Sequence, residues 1–119
     1  MSIALIEAGI SNATKTRSYV QKLLKRRGLK PDYKYVLQQC DSGYEHFGWS
    51  FASALGEVKE GEYDISTYDL QVGSTDNIDE CRNAMSSKNV RDVAISRGND
   101  FLFLIGEVGI NTVDRLPSD

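Results

Sequence analysis

Histidine and cysteine are scarce in this 119-residue chain: His46 is the single histidine, and Cys40 and Cys81 are the two cysteines. Structural zinc sites normally repeat Cys or His pairs at short spacing. A site drawn from Cys40, Asp41, Glu45 and His46 has no second pair to complete it, and Cys81 does not supply one. A Cys40–His46 nucleophile pair, spread across an expected hairpin turn, lacks the spacing of a cysteine enzyme. Because His46 sits among aromatics, a packed histidine is the expectation. Two cysteines this far apart do not read as a disulfide framework, and they fit reduced thiols in a cytoplasmic protein.

Phosphate-binding loops are missing as well, since "GEVG" and "VGST" lack the required glycine spacing. No apolar run reaches membrane-spanning length, and "IALIEAGI" is broken by Glu7 and has no basic leader. Neither a signal peptide nor a lipidation motif is expected, so the Asn12-Ala13-Thr14 sequon reads as coincidence. Glu57, Glu60, Glu62, Asp64 and Asp69 cluster where turns and outward strand positions are expected, and Glu107 follows the apolar "FLFLIG". Solvation accounts for all six. These absences leave no catalytic residue, no metal site and no cofactor, and point to a non-enzyme.

What is present is ordinary globular composition, 40% hydrophobic and 26% charged, in a length that suits one domain spanning residues 1–119. The net charge of −3 is unevenly spread. Residues 11–34 hold eight Lys and Arg against Asp32 alone, whereas residues 35–119 hold six against fifteen acids. One face meeting an anion on an otherwise acidic body would give this split.

Along the chain, "SIALIEAG" reads as a short helix stopped at Gly9. A second helix, capped by Ser11 or Asn12, runs to about Arg27 with Ala13, Val20, Leu23 and Leu24 on its buried side. Gly28 supplies a left-handed stop, and Pro31 prevents the helix from resuming. "YKYVLQQC", "HFGWSFASAL" and "YDISTYDLQV" read as strands of an antiparallel meander, separated by the turn signals "CDSG" and "KEGE". In the middle strand Phe47, Trp49, Phe51 and Leu55 would share a core face opposite Gly48, Ser50, Ala52 and Ala54. A helix capped by Ser74 or Thr75 follows, broken at "SSKN" into two short pieces, the second ending at Gly98. "FLFLIGEVGI" closes the chain as a buried strand, with "DRLPSD" frayed. The expected class is therefore α+β: an N-terminal helix or short helix-turn-helix, a three-stranded meander, two short helices and a C-terminal strand.

On the basic helix Lys15, Tyr19, Lys22 and Arg26 fall near one line, flanked by Lys25 and continued by Lys30. Cations in the last turn suit any helix dipole, which explains Lys25, Arg26 and Arg27 without a partner. Lys15 and Arg17 sit near the positive end and are not explained that way. Such a stripe can track phosphates, with Tyr19 stacking or donating to an oxygen. The helix-turn-helix outline is incomplete, because Lys15 occupies the slot where that motif needs an apolar residue. The first functional expectation is a binding protein that contacts DNA or RNA through Lys15, Tyr19, Lys22, Lys25, Arg26 and Lys30. The alternative is an inhibitor or regulator module, of the kind carried by phages and mobile elements, acting on a larger protein. A small-molecule-binding or enzymatic domain stands third, and a homodimer is open to either of the first two.

Overall fold

The computed structural model describes residues 2–116, and every regular element among them is a helix. Helix α1 spans Ser2–Leu24, α2 Pro31–Lys59, α3 Tyr63–Gln71, α4 Ile78–Ser87 and α5 Val93–Asp114. The segment Val72–Asn77 continues α3 into α4 as a π turn, so the two behave as one rod with a bulge. Short connections at 25–30, 60–62 and 88–92 make chain neighbours antiparallel. The result is a four-rod bundle, 55 × 22 × 18 Å, in which α1 packs on α2 and α5, and the α3–α4 rod packs on α2 and α5.

This overturns the α+β expectation: the described residues contain no strand and no meander. The reason lies in α2. Its buried residues Leu37, Cys40, Tyr44, Phe47, Phe51, Ala54 and Val58 recur at alternating spacings of three and four. That is the seam of a packed helix. The two-residue alternation around Trp49 was a local coincidence, because Phe47 and Phe51 are fully buried while Trp49 is 62% exposed. "FLFLIGEVGI" likewise belongs to α5, where Leu102, Ile105, Gly106 and Gly109 face inward and Leu104 and Val108 face out.

Gly9 and Gly98, read from the sequence as helix stops, are close-packing positions within helices, as are Gly73 and Gly106. Gly9 lies mid-helix in α1, where an added Cβ would stand 2.8 Å from a Phe51 ring carbon; at Gly73 the distance is the same, on the ring's other edge. The Phe51 ring is thus held between two glycines from different rods. Gly98 and Gly106 sit within α5 against Thr16 and Ser74. α1 ends at Leu24, short of the expected Arg27, and Gly28 takes its expected left-handed φ of +74° within the connection that follows. Pro31 opens α2 as its first residue instead of blocking a helix, since the missing N–H is one no helix start could use. "SSKN" ends α4 at Ser87, and Asn89 takes φ 51°. Of the expected frayed end, Pro117 to Asp119 lie outside the described residues.

Cys40 and Cys81 form a disulfide between α2 and α4, which corrects the expectation of reduced thiols. The bridge lies in the core beside a small polar cluster. The Tyr44 hydroxyl donates to Asn99 Oδ1 at 2.6 Å, and Asn99 Nδ2 donates to Cys81 Sγ at 3.4 Å. Both polar residues are buried, so satisfying these groups matters more than their number.

Candidate protein-docking surface

The antiparallel register of α1 and α5 is set by three close approaches. Gly98 faces Thr16, Gly9 faces Ile105, and Gly109 meets Leu5. At the far end the Tyr19 hydroxyl donates to Asp92 Oδ2 at 3.0 Å, and Asp92 Oδ1 accepts from the Ile95 N–H at 3.1 Å as the cap of α5. Small residues along the seam let the two helices approach closely. Their adjoining flanks then form one continuous outer surface.

At 100° per residue, Arg97, Phe101, Leu104 and Val108 fall together on the flank of α5 beside the Gly98–Ile105 side that faces α1. Phe101, Leu104 and Val108 are 42%, 55% and 43% exposed. Across the seam, Ala8, Lys15, Tyr19 and Lys22 occupy the flank of α1 turned toward α5, and all are exposed. The face therefore has an apolar strip from α5 with a basic border from α1 on one side and Arg97 at one end, while exposed Asp100 and Glu107 line the strip's other side. None of Lys15, Lys22, Arg26 and Arg97 enters an ion pair among the described residues.

The six residues singled out in the sequence are thus only partly brought together. Lys15, Tyr19 and Lys22 share the flank, whereas Lys25 and Arg26 lie in the turn after α1 and Lys30 caps α2. The Tyr19 hydroxyl is already committed to Asp92. Burial and that carboxylate raise its pKa, which Arg26 opposes. Arg17 turns the other way: its Nε and Nη2 donate to Asp41 Oδ1 at 2.8 Å and to Glu45 Oε2 at 2.9 Å on α2. The hydrogen bond to Asp41 leads in raising the Arg17 pKa. The charge that dipole reasoning left unexplained at Arg17 is therefore structural. Phe101, Leu104 and Val108 were missed because the stretch holding them reads as uniformly apolar; a helical projection separates the exposed three from buried Leu102 and Ile105.

Other groups capable of chemistry are occupied internally. His46 Nδ1 lies 3.1 Å from the Glu80 carboxylate, and the ring rests against Trp49 with centroids 5.2 Å apart. Cys40 points into the core and His46 out of it, so no Cys–His pair exists. Asp41 and Glu45 are held by Arg17, and Glu107 is exposed on α5. No group of three or more His, Cys, Asp or Glu among the described residues could hold a metal ion. The clefts are open: one of about 350 Å³ lies between Arg82, Met85, Asn89, Ser96 and Asn99, and another of about 400 Å³ lies between Ser74, Phe103 and Ile110. Neither encloses a ligand as small-molecule sites do. No described helix is long and apolar enough to cross a membrane.

No protein-family model and no curated protein matches the chain. Solved structures share its fold, two of them as follows. The crystal structure of a pectin methylesterase inhibitor from Arabidopsis thaliana superposes with a TM-score of 0.90 at 15% identity, covering 99% of this chain and 77% of that one. A mutant form A of a pectin methylesterase inhibitor from Arabidopsis gives 0.91 at 15% identity, covering 99% and 78%. At this identity the likeness is one of fold.

Proposed function

We propose that this protein is a non-enzymatic, protein-binding inhibitor of a larger enzyme. One observation carries the reading. The cysteines, His46, Tyr44, Asp41 and Glu45 are all engaged within the bundle, while the α1–α5 face is left with unpartnered apolar and cationic groups. A rigid helical rod without chemistry of its own acts by covering something else. The fold likeness supports this, because both neighbours are named as enzyme inhibitors. It also supplies the first target to test, a pectin methylesterase.

The buried disulfide supports a working compartment that is oxidising, where such bonds persist. The cytoplasmic expectation rested on reduced thiols and loses that footing. Nucleic acid is not favoured, since the stripe meant for phosphates is divided between a helix flank, a turn and a cap.

The test is to titrate the oxidised protein into a pectin methylesterase and follow ester hydrolysis and complex formation. Inhibition that saturates near one equivalent is expected. Full activity at tenfold excess, with the two proteins eluting separately, would remove this enzyme class as the target.

A further inference from the structure

We infer that the α1–α5 face recognises an acidic-rimmed apolar ridge on a partner protein, with Phe101, Leu104 and Val108 as the apolar contact and Lys15, Lys22 and Arg97 as the charged border. The inference rests on the protein-binding reading above and names the surface and the partner's chemistry.

Single exposed apolar residues are normal on any soluble protein, but these three follow one another at helical spacing and form one patch. Trp49 on α2, and Ile65 and Tyr68 on α3, are also exposed, yet their surroundings differ. Trp49 leans on His46, which faces Glu80, and the groove beside it is bordered by the closed Arg17–Glu45 pair. The α1–α5 face differs from the Trp49 groove in pairing its apolar strip with Lys15, Lys22 and Arg97, none of which has an ion-pair partner among the described residues.

Size and charge then choose the occupant. From Ala8 to Lys22 the α1 flank is roughly 20 Å long at 1.5 Å per residue, and two helices set the width at roughly 15–20 Å. That is roughly 300–400 Å², about half of what one partner contributes to a specific protein interface, so the face suits a short amphipathic element of the partner or the centre of a larger contact. A two-fold homodimer with its axis across the helices would set Lys15 and Lys22 against like charge, whereas an axis along the helices would not, so self-association is kept as an arm of the test. Duplex nucleic acid would bury Phe101 and Leu104 against phosphates, which offer them nothing. A partner ridge of Leu or Phe rimmed by Glu or Asp satisfies both parts at once.

The probe is a synthetic amphipathic peptide with Leu on one helical face and Glu on its flanks, titrated into the ¹⁵N-labelled, disulfide-intact protein. Amide shifts should map to residues 4–22 of α1 and 94–108 of α5. Affinity should fall roughly tenfold or more between about 50 and about 500 mM salt, as screened charge pairs require. Leu104→Gln should weaken binding at all salt concentrations. Lys15→Glu with Lys22→Glu should weaken binding at low salt and abolish or invert the salt dependence, and Trp49→Ala should change neither affinity nor salt dependence. All four sites are exposed, so circular dichroism melts serve as the folding check. Shifts centred on Trp49 or Tyr68, or no binding at low salt, would overturn the inference. So would anionic phosphatidylserine vesicles, duplex DNA or self-association occupying the same face more tightly than the peptide.

The esterase assay separates this inference from the reading beneath it. Inhibition unchanged by Leu104→Gln and by the double reversal sinks the surface and leaves the inhibitor. Peptide binding at α1–α5 with no esterase inhibited sinks that target and leaves the surface.

Discussion

Gly106 and Gly56 are both helical glycines, and their surroundings predict opposite responses to alanine. An added Cβ at Gly106 would collide with the Cβ and Oγ of Ser74, whose Cα stands 3.4 Å away on the π turn. Gly106→Ala should therefore cost about 1–3 kcal/mol, the range for overpacked cores. At Gly56 a Cβ meets nothing within 4 Å, so Gly56→Ala should gain about 0.5–1 kcal/mol from helix propensity alone. Urea denaturation midpoints of the two variants decide the matter, and a shared sign would contradict this account of the glycines. Asp92 offers a second test. Its side chain caps α5 through the Ile95 N–H and accepts from Tyr19. Asp92→Ala should lose about 1–2 kcal/mol in the same measurement, most of it from the cap, with Tyr19→Phe costing less.

At the level of the elements, the long rod is the unusual one. Its π turn carries Gly73 against Phe51, while the Asn77 carbonyl approaches Gly43 so closely that a Cβ there would stand 2.6 Å away. Ser50 Oγ donates to Asn77 Oδ1 at 2.9 Å, adding a side-chain tie to the same place. One turn further on, the disulfide locks α4 to α2. Joining cysteines 41 positions apart restricts the unfolded chain, and loop-closure entropy puts the stabilisation at about 3–4 kcal/mol. Replacing both cysteines with alanine should lower stability by that order. The cysteines are fully buried, so dithiothreitol should act slowly on the folded protein and quickly in denaturant. Rapid reduction under native conditions would show that α4 opens locally.

Across the whole molecule the uneven charge of the sequence becomes an axial separation. Lys25, Arg26, Arg27, Lys30 and Arg91 gather around the 25–30 and 88–92 connections at one end, whereas Glu57, Glu60, Glu62 and Asp69 lie at the other. Crowding at the acidic end has a thermodynamic consequence. Glu57 Oε1 is buried without a hydrogen-bond partner. Desolvation, followed by the nearby Asp69, pushes the Glu57 carboxyl up to about 7 from an ordinary 4.5. The folded state then binds more protons than the unfolded state between those values. This contribution to stability is complete below about pH 4.5 and is lost as pH rises toward 7. Glu57→Gln should flatten that part of the pH–stability curve and leave the variant more stable than wild type above pH 7. A wild-type curve rising steadily through the window, unchanged by Glu57→Gln, would refute the assignment.

Local chemistry made some of this legible from the chain alone. The left-handed Gly28, the turn at "KEGE", the break at "SSKN" and the inward side marked by Ala13, Val20, Leu23 and the partly buried Leu24 all depend on neighbours a few residues away. The charge division is likewise a property of composition and order. What failed was any inference that needed to know what lies across the interface. Gly9 and Gly98 look like breakers until a second helix is placed against them. Phe47, Trp49 and Phe51 fit a strand as well as a helix over five residues, and only the 29-residue length of α2 separates the two periods. Pairing Cys40 with Cys81, turning Arg17 to Asp41 and exposing Phe101, Leu104 and Val108 beside Lys15 and Lys22 are outcomes of packing between distant segments. Sequence order determined the local stops and the charge imbalance, because both are settled within a turn or two of chain. Tertiary structure decided the all-helical fold and the exposed α1–α5 face, because a helix shows which of its sides is spare only once the other sides are covered.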